Sequence, residues 1–201
     1  MDKAKIRLSP EEAALINRTD WILTKNNILQ KVKQLFSSLQ SRQQLILQGV
    51  AIQQKITNSS PKISRGENYK GLPWLVLDYP RLFEKESFLA VRTLFWWGNF
   101  FSTTLHLSGK YKIAFQERIT GSFDYLRQKD FFVCINNDQW EHHFDETNYK
   151  AITGMSLAEF EEITGGNTFI KLAKKIPVHQ WSDAERKLAE IFNHLTHILK
   201  D

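Results

Sequence analysis

Glu141-His142-His143, followed by Asp145, is the densest run of proton-transferring and metal-ligating groups in this chain. If Trp140 to Phe144 is a strand, neighbours point to opposite faces, and His142 joins Trp140 and Phe144 on one side. His143 then falls with Glu141 and Asp145, where an imidazole between carboxylates can act as acid and base or as a metal ligand. A first-row metal would need further ligands from elsewhere, because no His-x-x-x-His spacing is present. A surface ion cluster explains the same residues.

Arg92 poses a different question. Phe88 to Trp97 mixes aromatic and β-branched residues, as strands do, and alternation puts Arg92 with Phe88, Ala90, Leu94 and Trp96. A guanidinium on such an apolar face must be paired or must line a cavity, since an isolated buried charge is expensive. Asp78, at the end of the preceding apolar run, is one partner; Glu141 is another. Tyr79 and Arg81 border the same region. Either a structural ion pair forms here, or Asp78, Tyr79, Arg81, Arg92, Trp96, Glu141 and His143 surround a small-molecule ligand.

Other motifs carry less chemistry. Phe95-Trp96-Trp97 with Phe100-Phe101 would stack nucleic-acid bases only with cations interleaved, and Arg92 is the only Lys or Arg between Lys85 and Lys110. Core packing accounts for those rings. Gly165-Gly166-Asn167-Thr168, ahead of Lys171, Lys174 and Lys175, lacks the P-loop order and reads as one helix ending and another beginning. His194 and His197 are helix neighbours without a third ligand nearby. Cys134, between Val133 and Ile135, reads as a small buried hydrophobe rather than a nucleophile. No serine elbow or dinucleotide fingerprint occurs, and no cofactor is implied.

The elements that position these residues follow from periodicity. Ser9-Pro10-Glu11-Glu12 is a capping box with proline at the first helical position. A second helix from Asp20 or Lys25 to Leu39 carries the stripe Ile28, Val32, Leu35, Phe36 and Leu39. Leu45 to Ile56 can continue it, and Thr57 to Gly71 reads as a basic loop. Residues 72–144 hold four of the six tryptophans and ten of the fourteen phenylalanines, which places an aromatic sheet there. Its strands are predicted at Leu72 to Tyr79, Phe88 to Trp97, and Ser102 to Leu107 turning through Ser108-Gly109-Lys110 into Tyr111 to Phe115. Phe131 to Ile135 and Trp140 to Phe144 flank Asn136-Asn137-Asp138-Gln139 as a second hairpin, and Glu117 to Arg127 reads as helix. Beyond it come capping boxes at Ser156/Glu159 and Ser182/Glu185, a short helix from Thr168 to Lys175, and a last helix burying Leu188, Ile191, Phe192, Leu195, Ile198 and Leu199.

The expected architecture is α+β: a mostly antiparallel central sheet of about five to six strands in residues 72–144, flanked by N-terminal and C-terminal helices. At 201 residues and 42% hydrophobic content, one domain over 1–201 is expected, with 1–56 a basic helical region. Charge is uneven: residues 1–70 hold 12 Lys/Arg against 5 Asp/Glu, and the rest 15 against 17. One cysteine excludes an internal disulfide framework, and neither a leader nor an apolar run of membrane-spanning length is seen, so a cytoplasmic location and no membrane partner are expected. The leading functional reading is a non-enzymatic ligand-binding or protein-interaction domain. Alternatives are an enzyme with an acid/base or metal site around Glu141 and His143, and nucleic-acid binding through the basic N-terminal region.

Overall fold

The structure is a computed structural model that describes residues 6–200. Seven strands form one antiparallel sheet: β1 (Lys62–Tyr69), β2 (Leu72–Phe83), β3 (Phe88–Trp96), β4 (Phe100–Ser108), β5 (Phe132–Cys134), β6 (Tyr149–Ala151) and β7 (Phe169–Pro177). Their order is β1-β2-β3-β4-β7-β5-β6, and every pair is antiparallel. The helices are α1 (Pro10–Ile16), α2 (Thr19–Gln48), α3 (Gln54–Thr57), α4 (Gly109–Gly121), α5 (Phe123–Gln128), α6 (Leu157–Gly166) and α7 (Ala184–Ile198). This is an α+β fold with a central antiparallel sheet, and the sheet runs past both ends of residues 72–144. No helix among the described residues is long and apolar enough to cross a membrane.

Strand alternation divides the sheet's side chains between two environments. Leu75, Leu77, Leu89, Val91, Phe101, Leu105, Ile170 and Leu172 pack with Val32, Phe36 and Leu39 of α2 and Leu188, Phe192 and Leu195 of α7 in the main core. The opposite face carries Val76, Asp78, Arg92, Leu94, Thr104, His106 and Lys171. Residues 135–148, a strap without regular secondary structure, run across part of it. Asp78 pairs with Arg92, Arg92 with Thr104, and Thr104 with Ala173, so one row of that face reads acid, base, hydroxyl, methyl across four strands.

Several local signals hold. Ser9 Oγ accepts from the Glu12 N–H at 3.2 Å and Glu12 Oε2 accepts from the Ser9 N–H at 2.6 Å, the complete capping box. Ser156 accepts from the Glu159 N–H, half of the second box. The third is absent: Asp183 precedes α7 and no side chain caps it. The predicted second helix runs nine residues further, to Gln48, and ends at Gly49.

Four segments differ from expectation. Ser108-Gly109-Lys110 is a strand-to-helix corner rather than a hairpin turn, so Tyr111 to Phe115 belongs to α4. Gly109 has φ +54°, and a Cβ there would sit 2.4 Å from the Glu86 carbonyl oxygen. Thr168 to Lys175 is not a helix but most of β7, between β4 and β5. The loop Thr57 to Gly71 contains β1, joined to β2 by Lys70-Gly71, both at positive φ, in a two-residue hairpin. Trp140 to Phe144 lies in the strap, and β5 pairs instead with β6 and β7.

Candidate functional site

A hollow of about 580 Å³ opens on the strap side of the sheet. Its floor is Val76 and Asp78 of β2 with Arg92 and Leu94 of β3; its sides are Lys62, Ser64, Asn68, Tyr69, Trp74, Arg81, Phe83, Trp140 and His142. Strand periodicity builds most of this. Lys62 pairs with Asp78 and Ser64 with Val76, so the alternate residues of β1 stand beside the floor on the same face. In β2 the register shifts between Asp78 and Arg81, one residue more than β3 supplies opposite. That bulge turns Arg81 and Phe83 to the same face as Asp78, which strict alternation would have forbidden. Gly66 sits opposite Trp74, and a Cβ there would lie 2.5 Å from the indole, so only glycine lets that ring lie across the β1 backbone.

Arg92 and Asp78 are joined by two bonds, Nε to Oδ1 at 2.7 Å and Nη2 to Oδ2 at 3.1 Å. Their side chains are 16% and 9% exposed, so the pair is largely desolvated. The guanidinium carbon also lies 5.8 Å from the Trp140 ring centre. Trp140 is wedged edge-on against Phe88 and His106 yet remains 46% exposed, which leaves part of its indole open. Three basic side chains, Lys62, Arg81 and Arg92, line the hollow against one carboxylate.

Beneath the strap lies a buried polar layer. Lys171 is 1% exposed and donates from Nζ to the Glu141 carbonyl at 2.5 Å, with the Tyr149 ring 5.3 Å away. Burial lowers its ammonium to about 8. His106 shares a 3.0 Å hydrogen bond between Nε2 and Gln139 Oε1, for which Nε2 carries the proton. Burial, then the Lys171 and Arg92 cations, push its imidazole down to about 3. Burial and the same cations hold His142 well below its usual value, so the imidazole that lines the hollow is neutral.

The strap is fixed by Tyr69. Its hydroxyl donates to Glu141 Oε2 at 2.9 Å and accepts from the His142 and His143 N–H groups at 2.8 and 3.1 Å. Burial raises this phenol to about 12. The Glu141, His143 and Asp145 trio expected from alternation does form: His143 Nε2 is 3.2 Å from Glu141, and Nδ1 is 3.1 Å from Asp145. It arises from strap conformation, not from a pleat. No group of three or more His, Cys, Asp or Glu among the described residues is arranged to hold a metal ion.

Of the seven residues singled out from the sequence, Asp78, Arg81 and Arg92 line the hollow. Tyr79 points to the helix side, where its hydroxyl donates to the Thr57 carbonyl at 3.3 Å. Trp96 packs against Val76, Leu94 and Phe100 and donates to the Tyr69 carbonyl at 3.2 Å. Glu141 and His143 anchor the strap beside the hollow without lining it. Cys134 is buried, its thiol raised by that burial. Sequence reasoning missed Tyr69, Lys62 and Ser64, which become visible only once β1 is read as a strand. It also grouped Trp140 with His142, which both line the hollow, but placed them on a strand rather than in the strap. No protein-family model, curated protein or solved structure matches this chain, so the chemistry of the hollow is read from its own geometry.

Proposed function

We propose that this protein binds a small anionic aromatic molecule in the hollow above Arg92. The observation that carries this reading is the composition of one cavity: aromatic walls, and three basic side chains against a single carboxylate that Arg92 already engages. A volume of about 580 Å³ lies within the size range of small-molecule sites, roughly 300–1,000 Å³. Asp78 occupies the Nε and Nη2 edge of the guanidinium and fixes its plane, so the remaining Nη1 protons are available to a ligand carboxylate. Trp74, Tyr69 and Trp140 offer ring surfaces, and neutral His142 offers one donor and one acceptor without adding charge. A carboxylate on an aromatic body uses all of these features; a neutral one leaves the cationic excess unmatched. The acid/base reading around Glu141 and His143 has less support, because that trio is committed to holding the strap.

Calorimetric titration with 2-naphthoate and its neutral amide tests the reading. The carboxylate is expected to bind at least about tenfold more tightly, the worth of one charge-assisted hydrogen bond. Lys62→Gln, at an exposed position, and Arg81→Gln, at a half-buried one, should each weaken the carboxylate alone. Equal affinity for acid and amide, or no heat with either, would remove the proposal.

A further inference from the structure

The α1–α2 tip is the part of this molecule that its own sheet does not explain. α1 has no buried residue among its 7 positions, and in α2 the first buried side chain is Leu29. From Thr19 to Ile28 the longest helix therefore runs without a core beneath it. α1, 7 residues long with nothing to pack on, is marginal in water by itself. Yet the sequence there is apolar: Leu8 is 57% exposed, Leu15 49%, Ile16 71%, Trp21 45%, Ile22 50% and Leu23 61%. Between the two helices lies an open hollow of about 580 Å³, lined mainly by those side chains.

We infer that the tip is a self-association surface, covered in solution by the tip of a second copy of this chain. Two observations favour a copy over other occupants. The first is area: the six side chains of two copies present on the order of 1,200 Å² of apolar surface, the lower edge of what stable interfaces remove from water, about 1,200–2,000 Å². The second is charge. Between residues 6 and 28, Arg7, Arg18 and Lys25 are matched by Glu11, Glu12 and Asp20, so this stretch carries no net charge of its own. Arg18 is held by Asp20 at 2.7 Å, Lys25 by Glu67 at 2.6 Å, and Glu12 is spent on its capping box. A surface that seeks anionic lipid carries a cationic excess beside its apolar face. This one is balanced and does not repel its own image, which a two-fold contact of like with like requires. The hollow between α1 and α2 gives an apolar knob of the partner somewhere to seat.

Sedimentation velocity on the full chain reads the outcome. The 23.6 kDa chain is expected to approach twice its mass by about 100 µM, an affinity fitting an interface of this size. Ile22→Glu combined with Leu23→Glu replaces two exposed side chains outside the core, so the urea midpoint of the dilute, monomeric chain should be unchanged while the dissociation constant rises at least about a hundredfold. A wild-type chain that stays monomeric at that concentration overturns the inference. So does a dimer indifferent to the double substitution, which would place its interface elsewhere. Sedimentation of a monomeric chain with phosphatidylcholine–phosphatidylglycerol vesicles would assign the tip to a lipid surface instead.

Discussion

Replacing Arg92 with leucine strands Asp78, a carboxylate that is 9% exposed and has the guanidinium as its bidentate partner. Breaking such a pair from one side is expected to cost about 3 kcal/mol, because an uncompensated charge stays buried. The double variant Asp78→Leu, Arg92→Leu removes both charges and should return to within about 1 kcal/mol of the wild type. Urea unfolding of the single and double variants measures the difference, and equal destabilisation would show that the pairing itself matters little. His106 supplies a pH dependence of definite sign. Its folded value is about 3 against an ordinary 6.5, so below 6.5 the unfolded chain takes up a proton that the folded chain refuses. Its contribution is complete above pH 6.5 and is lost as pH falls towards 3, at about 1.4 kcal/mol per pH unit. His142 acts in the same direction. Urea midpoints between pH 7 and 5 should therefore fall steeply in the wild type and less steeply in His106→Gln.

At the level of elements, Gly109 follows β4 and opens α4 at φ +54°, with the Glu86 carbonyl oxygen where a Cβ would have to sit. Gly109→Ala is expected to lower stability by about 2–3 kcal/mol, since it adds both left-handed strain and a collision with backbone. Thermal unfolding checks this, and a loss within about 0.5 kcal/mol would mean that the corner relaxes freely. The same glycine illustrates what periodicity could and could not reveal. A turn at Ser108-Gly109-Lys110 was legible; that a helix follows was not, because Tyr111 to Phe115 alternates well enough to pass for a strand. β7 was hidden for the opposite reason. Lys171, Lys174 and Lys175 sit at helical spacing, whereas the segment pairs with β4 along its whole length and buries Lys171 beneath the strap. β1 is polar because it lies at the sheet edge, where one face of its side chains meets water or the hollow. By contrast α1's capping box, the α7 stripe, β2 and β3 rest on local rules that the whole chain does not override. Arg92 and its partner Asp78 were accessible for that reason, whereas Arg81 reaches the same face through a bulge that no alternation rule contains.

On the scale of the whole molecule, the sheet has two unlike coverings. Helices seal one side with a continuous apolar core; the other is roofed by a strap over charged and polar groups, open at its β1–β3 end. The basic bias of the first seventy residues is partly cancelled by folding, since Lys55 and Lys70 reach Glu84 and Glu141 in the less basic remainder of the chain. One contact joins the extremes of this plan. Tyr69 stands at the end of the outermost strand, and its single hydroxyl holds two main-chain amides and a carboxylate of the strap. The rim of the sheet and the roof over its interior strands are thereby fastened by the same rivet. Peeling the edge strand away lifts the cover as well, so a breach that begins at the periphery admits water to Lys171 and His106 in the middle.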